Sequence, residues 1–370
     1  MRARYTAIAV SLLSTLLADD CFDPCAPVFK KCPPVISNCC HVVFEPFVEW
    51  LYLQPNGSSI YYAVEAFPFD TAIAIPEVSP NWQVFEIDPS YQSGFEVGSK
   101  FLFPRNDLSL EVNWERLHTH DSESMQVASQ PYGTGNMVGP FFDIGPNSSA
   151  YKAAKGKAVF HFDAVNLIFG KSVCFVNDLS LRLYTGAGFT RIKQSISSTF
   201  SNPEADTSRG VSAHSTFLGA GPEFGLDFGY KLCGSFYFTG ASSIALYMGQ
   251  LKNHTTYTSF SPALAAASIP QPNVQQTTVP NRTQLIPGFE EMLGFSYVLS
   301  YCQCQFTFGA GYQFQIYLDA VQSVDMTSPQ VLPSLTPGAS VDMGVYAVGF
   351  ERTLSNFILT GPYVSLDVDF

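Results

Sequence analysis

Apolar and polar residues alternate with a period of two through most of this chain. No stretch after residue 18 holds the roughly 18 consecutive apolar residues that a membrane-spanning helix needs. Charged residues make up 14% of the 370, against about 25% in an average globular domain, which is few for a surface that faces only water. A chain of this kind can still cross a bilayer as a closed antiparallel β-barrel, which pairs every backbone group with a neighbouring strand and hides its hydrophobicity on alternate residues.

The alternation is explicit in LSLEVNWER, where Leu108, Leu110, Val112 and Trp114 oppose Ser109, Glu111, Asn113 and Glu115. Just upstream, Phe95, Val97, Phe101 and Phe103 oppose Gly94, Glu96, Gly98 and Lys100, and PRND between the two runs supplies a tight hairpin turn. Phe224, Leu226, Phe228 and Tyr230 alternate with Glu223, Gly225, Asp227 and Gly229. A later hairpin sets Phe289, Leu293 and Phe295 beside Phe308, Tyr312 and Phe314, with Gln313 and Gln315 on its other face. Phe160, Phe162 and Ala164 oppose His161 and Asp163, and Leu179, Leu181 and Leu183 oppose Ser180, Arg182 and Tyr184. Glu291 falls on the apolar face, which is tolerable only near a rim.

A soluble β-sandwich also alternates, so three further features carry the choice of a barrel. The apolar face is rich in Phe and Tyr, as interfacial girdles require. Short turns (PRND, KLCGS, LSYCQ) lie on one side and long Ser/Thr/Asn/Pro/Gly-rich loops on the other. The ending GPYVSLDVDF carries the alternation to a terminal Phe370, where soluble chains usually fray. The expected fold is therefore all-β, a transmembrane antiparallel barrel of the bacterial outer membrane with short periplasmic turns and long external loops. Its partners would be outer-membrane lipid and, through the C-terminal Phe370, the barrel-assembly machinery.

With the short turns in the periplasm, strand direction constrains the count. Ten strands follow: 43–54, 90–103, 108–117, 157–169, 179–194, 213–231, 235–249, 285–300, 304–318 and 360–370. Counting 341–351 as another would leave Phe370 on the wrong side, so that segment is placed in the last external loop or an extra hairpin. Twelve strands is the alternative, with 60–65 also pairing. The external loops then cover about 118–153, 195–212, 252–284 and 320–338. FSPALAAASIP in the third reads as a short turn of helix folded into the mouth or as an Ala-rich tip.

At the other end of the chain, Arg2 and Arg4 precede an apolar stretch closed by Ala18, which reads as a signal peptide over 1–18. A Cys/Pro-rich periplasmic segment over 19–42 and a barrel over 43–370 complete the expected organisation. Five of the nine cysteines, Cys21, Cys25, Cys32, Cys39 and Cys40, crowd CFDPCAPVFKKCPPVISNCC, and Cys174, Cys233, Cys302 and Cys304 fall on or beside short turns. The spacings lack the repeated Cys-x2-Cys pairs of zinc domains, and an oxidising compartment favours disulfides. All nine therefore belong at the periplasmic end. An odd number leaves at least one thiol free or linked to a neighbour. The segment reads either as a tether to a second copy or to another cysteine-rich envelope protein, or as a set of barrel-internal bonds.

Some phrases, LGAGPEFGLDFGYKLCGSFYFTGASSIALYMGQL, FGAGYQFQIY, FVEWLYLQP, LRLYTGAGFTRIKQ and the terminal Phe, resemble the MOMP-like family, the major outer-membrane proteins of Legionella-type and related chlamydia-like bacteria. The likeness runs from about residue 44 to 370 and implies an outer-membrane barrel that forms a pore. The crowded cysteines and very long loops depart from it.

On the polar face the pore-lining candidates are Glu96, Lys100, Glu111, Asn113, Glu115, His161, Asp163, Arg182, Tyr184, Glu223, Asp227, Glu290, Gln313 and Gln315. Acids outnumber bases, so a water-filled lumen would show a weak preference for cations. Gly186, Gly188, Gly219, Gly221, Gly225, Gly309 and Gly311 on the same face would leave room. The competing reading is a structural or adhesive barrel whose charges pair across and close the lumen. The HTHD run, His118 to Asp121, is the one candidate for hydrolase chemistry at the mouth, by metal binding or as an acid–base pair; two imidazoles and a carboxylate in a polar loop are more often solvated, so no catalytic, metal or cofactor site is expected. A net charge of −12 argues against nucleic acid.

Overall fold

The computed structural model of the chain describes residues 42–57, 60–66, 82–103, 106–126, 129–130, 133–134, 136–138, 151–174, 178–202, 206–260, 262–266, 272–301, 304–327 and 349–369. The proposed leader, the cysteine-crowded segment, Cys302 and Phe370 lie outside these residues.

The elements in chain order are β1 (Val43–Gly57), β2 (Tyr61–Ala66), β3 (Trp82–Glu86), β4 (Gln92–Phe103), β5 (Leu108–Gln126), β6 (Ser129–Gln130), β7 (Gly133–Thr134), β8 (Asn136–Val138), β9 (Ala153–Cys174), β10 (Leu179–Asn202), β11 (Thr207–Cys233), β12 (Phe236–Phe260), α1 (Pro262–Ala266), β13 (Asn273–Tyr301), β14 (Cys304–Thr327) and β15 (Gly349–Asp369). Ten of them close a barrel in the order β1-β15-β14-β13-β12-β11-β10-β9-β5-β4. The count reached by parity holds. Segment 60–65 is not a barrel strand: β2 joins β3 and β8 in a separate three-stranded sheet.

The short turns use residues that tolerate a left-handed backbone. Asp107 and Asp178 sit at φ 55° and 70°, and Gly234 at 52°. The carbonyls of Asp107 and Asp178 accept hydrogen bonds from the amides of Ser172 and Lys231, each at 2.9 Å, which ties each turn to the neighbouring hairpin.

At the opposite end the structure corrects the loop assignments. Most of the expected loop sequence is strand: β10 runs to Asn202 and β11 restarts at Thr207, β12 reaches Phe260, and β14 reaches Thr327. Residues 349–351, assigned to a loop, open the 21-residue β15. The α1 turn exists, but Pro262, Ala265 and Ala266 are exposed instead of folding into the mouth.

The reason is a change of polarity along each strand. Near the short turns, apolar side chains face outward: Phe224 is 54% exposed, Leu293 52% and Leu167 51%. On β9 the outward belt of Val165, Leu167, Phe169 and Val173, interrupted near the short turn by Lys171, spans about 9 residues, or roughly 23 Å for a strand tilted by about 40°. Further up, the same outward positions turn polar, at Trp114 to Arg116 on β5, Val165 to Asp163 on β9, Phe189 to Arg191 on β10 and Met248 to Gln250 on β12.

The inward face changes in the opposite sense at nearly the same level. Glu49 gives way to Leu51 and Leu53, Glu115 to Leu117, Asn166 to Ala164 and Phe162, and Gln315 to Tyr317. Above the belt the barrel therefore has the anatomy of a water-soluble protein, with a buried core that includes Phe160, Phe162, Ile192, Ile196, Phe200, Phe217, Leu251 and Phe357. Each such side chain contributes roughly 1.5–3 kcal/mol by leaving water. That core holds the strands together where no lipid surrounds them.

Candidate functional site

The lower lumen is a cavity of about 450 Å³ lined by side chains from all ten barrel strands. Glu45 and Glu49 enter it from β1, Glu96 and Lys100 from β4, Glu111, Asn113 and Glu115 from β5, Arg182 and Tyr184 from β10, Glu223 and Asp227 from β11, and Glu290 from β13. Asp367 and Asp369 complete the ring from β15. Ten carboxylates thus face two bases, Lys100 and Arg182.

Arg182 binds two of these acids. Its guanidinium lies 2.8 Å from Glu111, off the hydrogen-bond direction, and donates to Asp227 at 2.8 Å and to the Ser109 hydroxyl at 2.9 Å. Lys100 lies 3.8 Å from Glu45. One level higher, Gln315 donates across the lumen to Glu115 at 2.8 Å and to its neighbour on β13, Glu290, at 3.2 Å, and Gln313 donates to Glu290 at 3.0 Å.

Even so, Oε2 of Glu49, Oε1 of Glu115 and Oε2 of Glu223 are buried without a hydrogen-bond partner among the described residues. A carboxyl group in that state is compensated by water, by a cation or by taking up a proton, because an enclosed anion without compensation costs several kcal/mol or more.

Twelve of the pore-lining candidates read from sequence face this lumen: Glu96, Lys100, Glu111, Asn113, Glu115, Arg182, Tyr184, Glu223, Asp227, Glu290, Gln313 and Gln315. His161 and Asp163 do not. They project outward above the belt, where Asp163 lies 3.7 Å from Arg116 and His161 stacks on His118 with ring centroids 4.0 Å apart. Burial and the neighbouring His118 and Lys193 hold the His161 imidazole below its ordinary value. The expected faces of β9 are reversed here because Phe160 and Phe162, each 1% exposed, pack inside the barrel.

The HTHD run is likewise divided between the two faces. His118 stacks outside, while Asp121 accepts hydrogen bonds from the Ser90 amide and hydroxyl at 3.0 and 2.6 Å inside the mouth. These two groups form no acid–base pair. Nor is Glu291 near a rim: it lies within the outward belt and accepts a 2.6 Å hydrogen bond from Ser242 on β12.

The inward glycines leave less space than their pattern suggests. A side chain at Gly225 would strike Tyr184, one at Gly188 would strike Tyr247, and one at Gly311 would strike Tyr363. Each glycine is the seat of an aromatic ring from another strand.

Above the acidic cavity aromatic rings from several strands pack against one another inside the bore. Phe162 lies 5.5 Å from Tyr317 and 6.0 Å from Phe357, and Tyr247 lies 6.0 Å from Tyr317. Over this layer β14 leaves its ladder between Tyr317 and Val321, turning through Asp319 at φ 56°. Ala320, Val321 and Gln322 are consequently buried inside the barrel. The Gln322 amide donates to the Ser215 hydroxyl at 3.0 Å, and its carbonyl accepts from Asn253 at 2.6 Å, which pins the bulge to β11 and β12.

Sequence reasoning did not select Glu45, Glu49, Asp367, Asp369, Tyr247, Tyr317 or Tyr363 as lining residues. The two β1 acids were legible, since they alternate with Phe44, Val48 and Trp50. At the turn end Cys233 is disulfide-bonded and Cys304 carries a free thiol.

Residues 38–370 match the family model described as the Legionella pneumophila major outer membrane protein precursor. Among curated proteins there is no match. Solved structures with a related outline include the Escherichia coli outer membrane protease OmpT, at 8% identity and TM-score 0.42, covering 89% of this chain and 97% of that one. Another is a Pseudomonas aeruginosa FadL homologue, at 7% identity and TM-score 0.24, covering 89% and 90%.

Proposed function

The chain belongs to the Legionella major outer membrane protein family, and from that premise we propose that its barrel is a narrow, cation-preferring diffusion channel of the outer membrane. The observation that carries this reading is the excess of lumen carboxylates over Lys100 and Arg182, with oxygens of Glu49, Glu115 and Glu223 left to solvent and counter-ions. Such a vestibule concentrates cations and repels anions. The aromatic layer of Phe162, Tyr247, Tyr317 and Phe357 is then the throat that sets conductance.

That same layer favours a second reading, a barrel with a closed lumen that serves the envelope structurally. Planar-bilayer recording across a salt gradient separates the two. Wild type should conduct weakly with a cation-selective reversal potential, and Phe162→Ala with Phe357→Ala should raise conductance without reversing the sign. Anion selectivity contradicts the channel reading. Silence of wild type and of a double variant that still shows the heat-modifiable folded form favours the closed barrel.

The cysteine-rich segment serves in this reading as a covalent tether on the periplasmic side, to a second copy or another cysteine-rich envelope protein. Non-reducing electrophoresis of alkylated envelopes should show reductant-sensitive oligomers; monomer alone rejects the tether.

A further inference from the structure

We propose that the outer surface of β5, β9 and β10, just above the apolar belt, binds the phosphate groups of a lipid in the outer leaflet. In the first row above the belt, Arg116 pairs with Asp163, which pairs with Arg191. In the next row His118 pairs with His161, which pairs with Lys193. With strands about 4.8 Å apart, each row is roughly 10 Å wide, and the rows are about 7 Å apart. Lys155 and Lys157 stand exposed on β9 further up the same face.

Five of the 19 lysines and arginines of a chain with net charge −12 are thus gathered on three neighbouring strands, against one acid, Asp163. Asp163 is engaged by Arg116, so among the described residues Arg191 and Lys193 have no carboxylate partner. The second row continues through Thr216 on β11 to the exposed Lys252 on β12, whereas where β1 meets β15 above the belt the paired residues are Gln54 with Thr360 and Asn56 with Ile358.

What lies beneath the charges identifies the occupant. Directly under the first row Trp114 pairs with Val165 and Val165 is aligned with Phe189, all on the outward face, and Leu167 continues that wall downward at 51% exposed. A free phosphate ion would have no use for this wall. A lipid whose anionic headgroup sits at the charged rows lays its acyl chains against it. Guanidinium and ammonium groups above an apolar surface on the same strands match such a molecule in both charge and height.

The test uses the full-length folded protein in zwitterionic detergent and native mass spectrometry to count bound lipid. The probes are bis-phosphorylated lipid A, its phosphate-free counterpart, and inorganic phosphate as competitor. Wild type should bind the bis-phosphorylated lipid and not the phosphate-free one, and millimolar phosphate should fail to displace it.

The R116Q/R191Q/K193Q variant should bind about fivefold more weakly per charge lost, roughly 100-fold in all, while R352Q on β15 should bind as wild type. A gel-mobility shift on heating confirms that each variant is folded. If the triple variant does not fold, R191Q/K193Q carries the test at roughly 25-fold. Equal binding by the triple variant, an equal loss per charge in R352Q, binding of the phosphate-free lipid, or displacement by free phosphate would each overturn the proposal.

Discussion

Below the level of Trp114 and Val165 the barrel is apolar outside and acidic within; above that level the outside carries Arg116, His161 and Lys193 and the inside carries Phe160, Phe162 and Phe357. The same ten strands pass through both regions, with β13 and β14 paired only from Gly288 opposite Tyr317 downward and β14 shifting its register with β15 at that level. What changes is the solvent on each side, and each strand answers by exchanging the chemistry of its two faces. Lipid requires the first arrangement; water around a packed core requires the second. Strand length alone therefore does not measure how deeply this barrel is embedded.

The contrast can be broken most sharply at the core of the upper region. Phe162→Ala or Phe357→Ala removes a ring packed inside the barrel and should cost about 3–5 kcal/mol, seen as a lower midpoint for loss of the folded, heat-modifiable form. The same truncation of outward Phe224 should cost far less, since its partner is lipid or detergent.

A matched pair of charges is the next test. Leu293→Arg in the belt should impair membrane insertion by about 2–4 kcal/mol, whereas Val159→Arg, outward on β9 above the belt, should leave it unchanged. Equal effects would show that the belt has been placed at the wrong height.

In the acidic cavity, Arg182→Gln leaves Glu111 and Asp227 without their cation. The expected loss of stability is roughly 1–3 kcal/mol, discounted for hydration of the lumen, together with a stronger cation preference in bilayer recordings.

The smallest effect concerns protons above the belt. His161 and His214 are both held below the ordinary imidazole value, mainly by burial. The unfolded chain therefore takes up these protons first, and the contribution of these two groups to stability should fall as pH drops through the ordinary imidazole value and return as pH rises. His161→Gln should flatten that dependence in a thermal melt taken without phosphorylated lipid.

The lower region was legible because lipid enforces one simple rule, apolar out, so Glu111, Asn113 and Glu115 could be placed from their alternation with Val112 and Trp114. The upper region was misread because alternation identifies two faces without saying which faces in. Phe160 and Phe162 were given to the lipid on polarity alone. Parity within β9 contradicts this, since Val165, Leu167 and Phe169 are odd-numbered and outward, so even-numbered Phe162 has to point inward. The β14 bulge, pinned by β11 and β12, and the seating of Tyr247 of β12 on Gly188 of β10 have no comparable signal, because both arise from partners more than a strand away.

That bulge has a consequence for how the family can vary. Register with β15 passes from Tyr317 opposite Phe357 to Val321 opposite Ser355, so β14 carries two residues more than its partner across this interval. Deleting two residues there would restore a straight ladder with every side chain on its present face, while deleting one would turn the rest of the strand inside out. Insertions and deletions in steps of two are then the changes by which a relative could gain or shed the inward fold of Ala320 to Gln322, with no substitution on the outer surface.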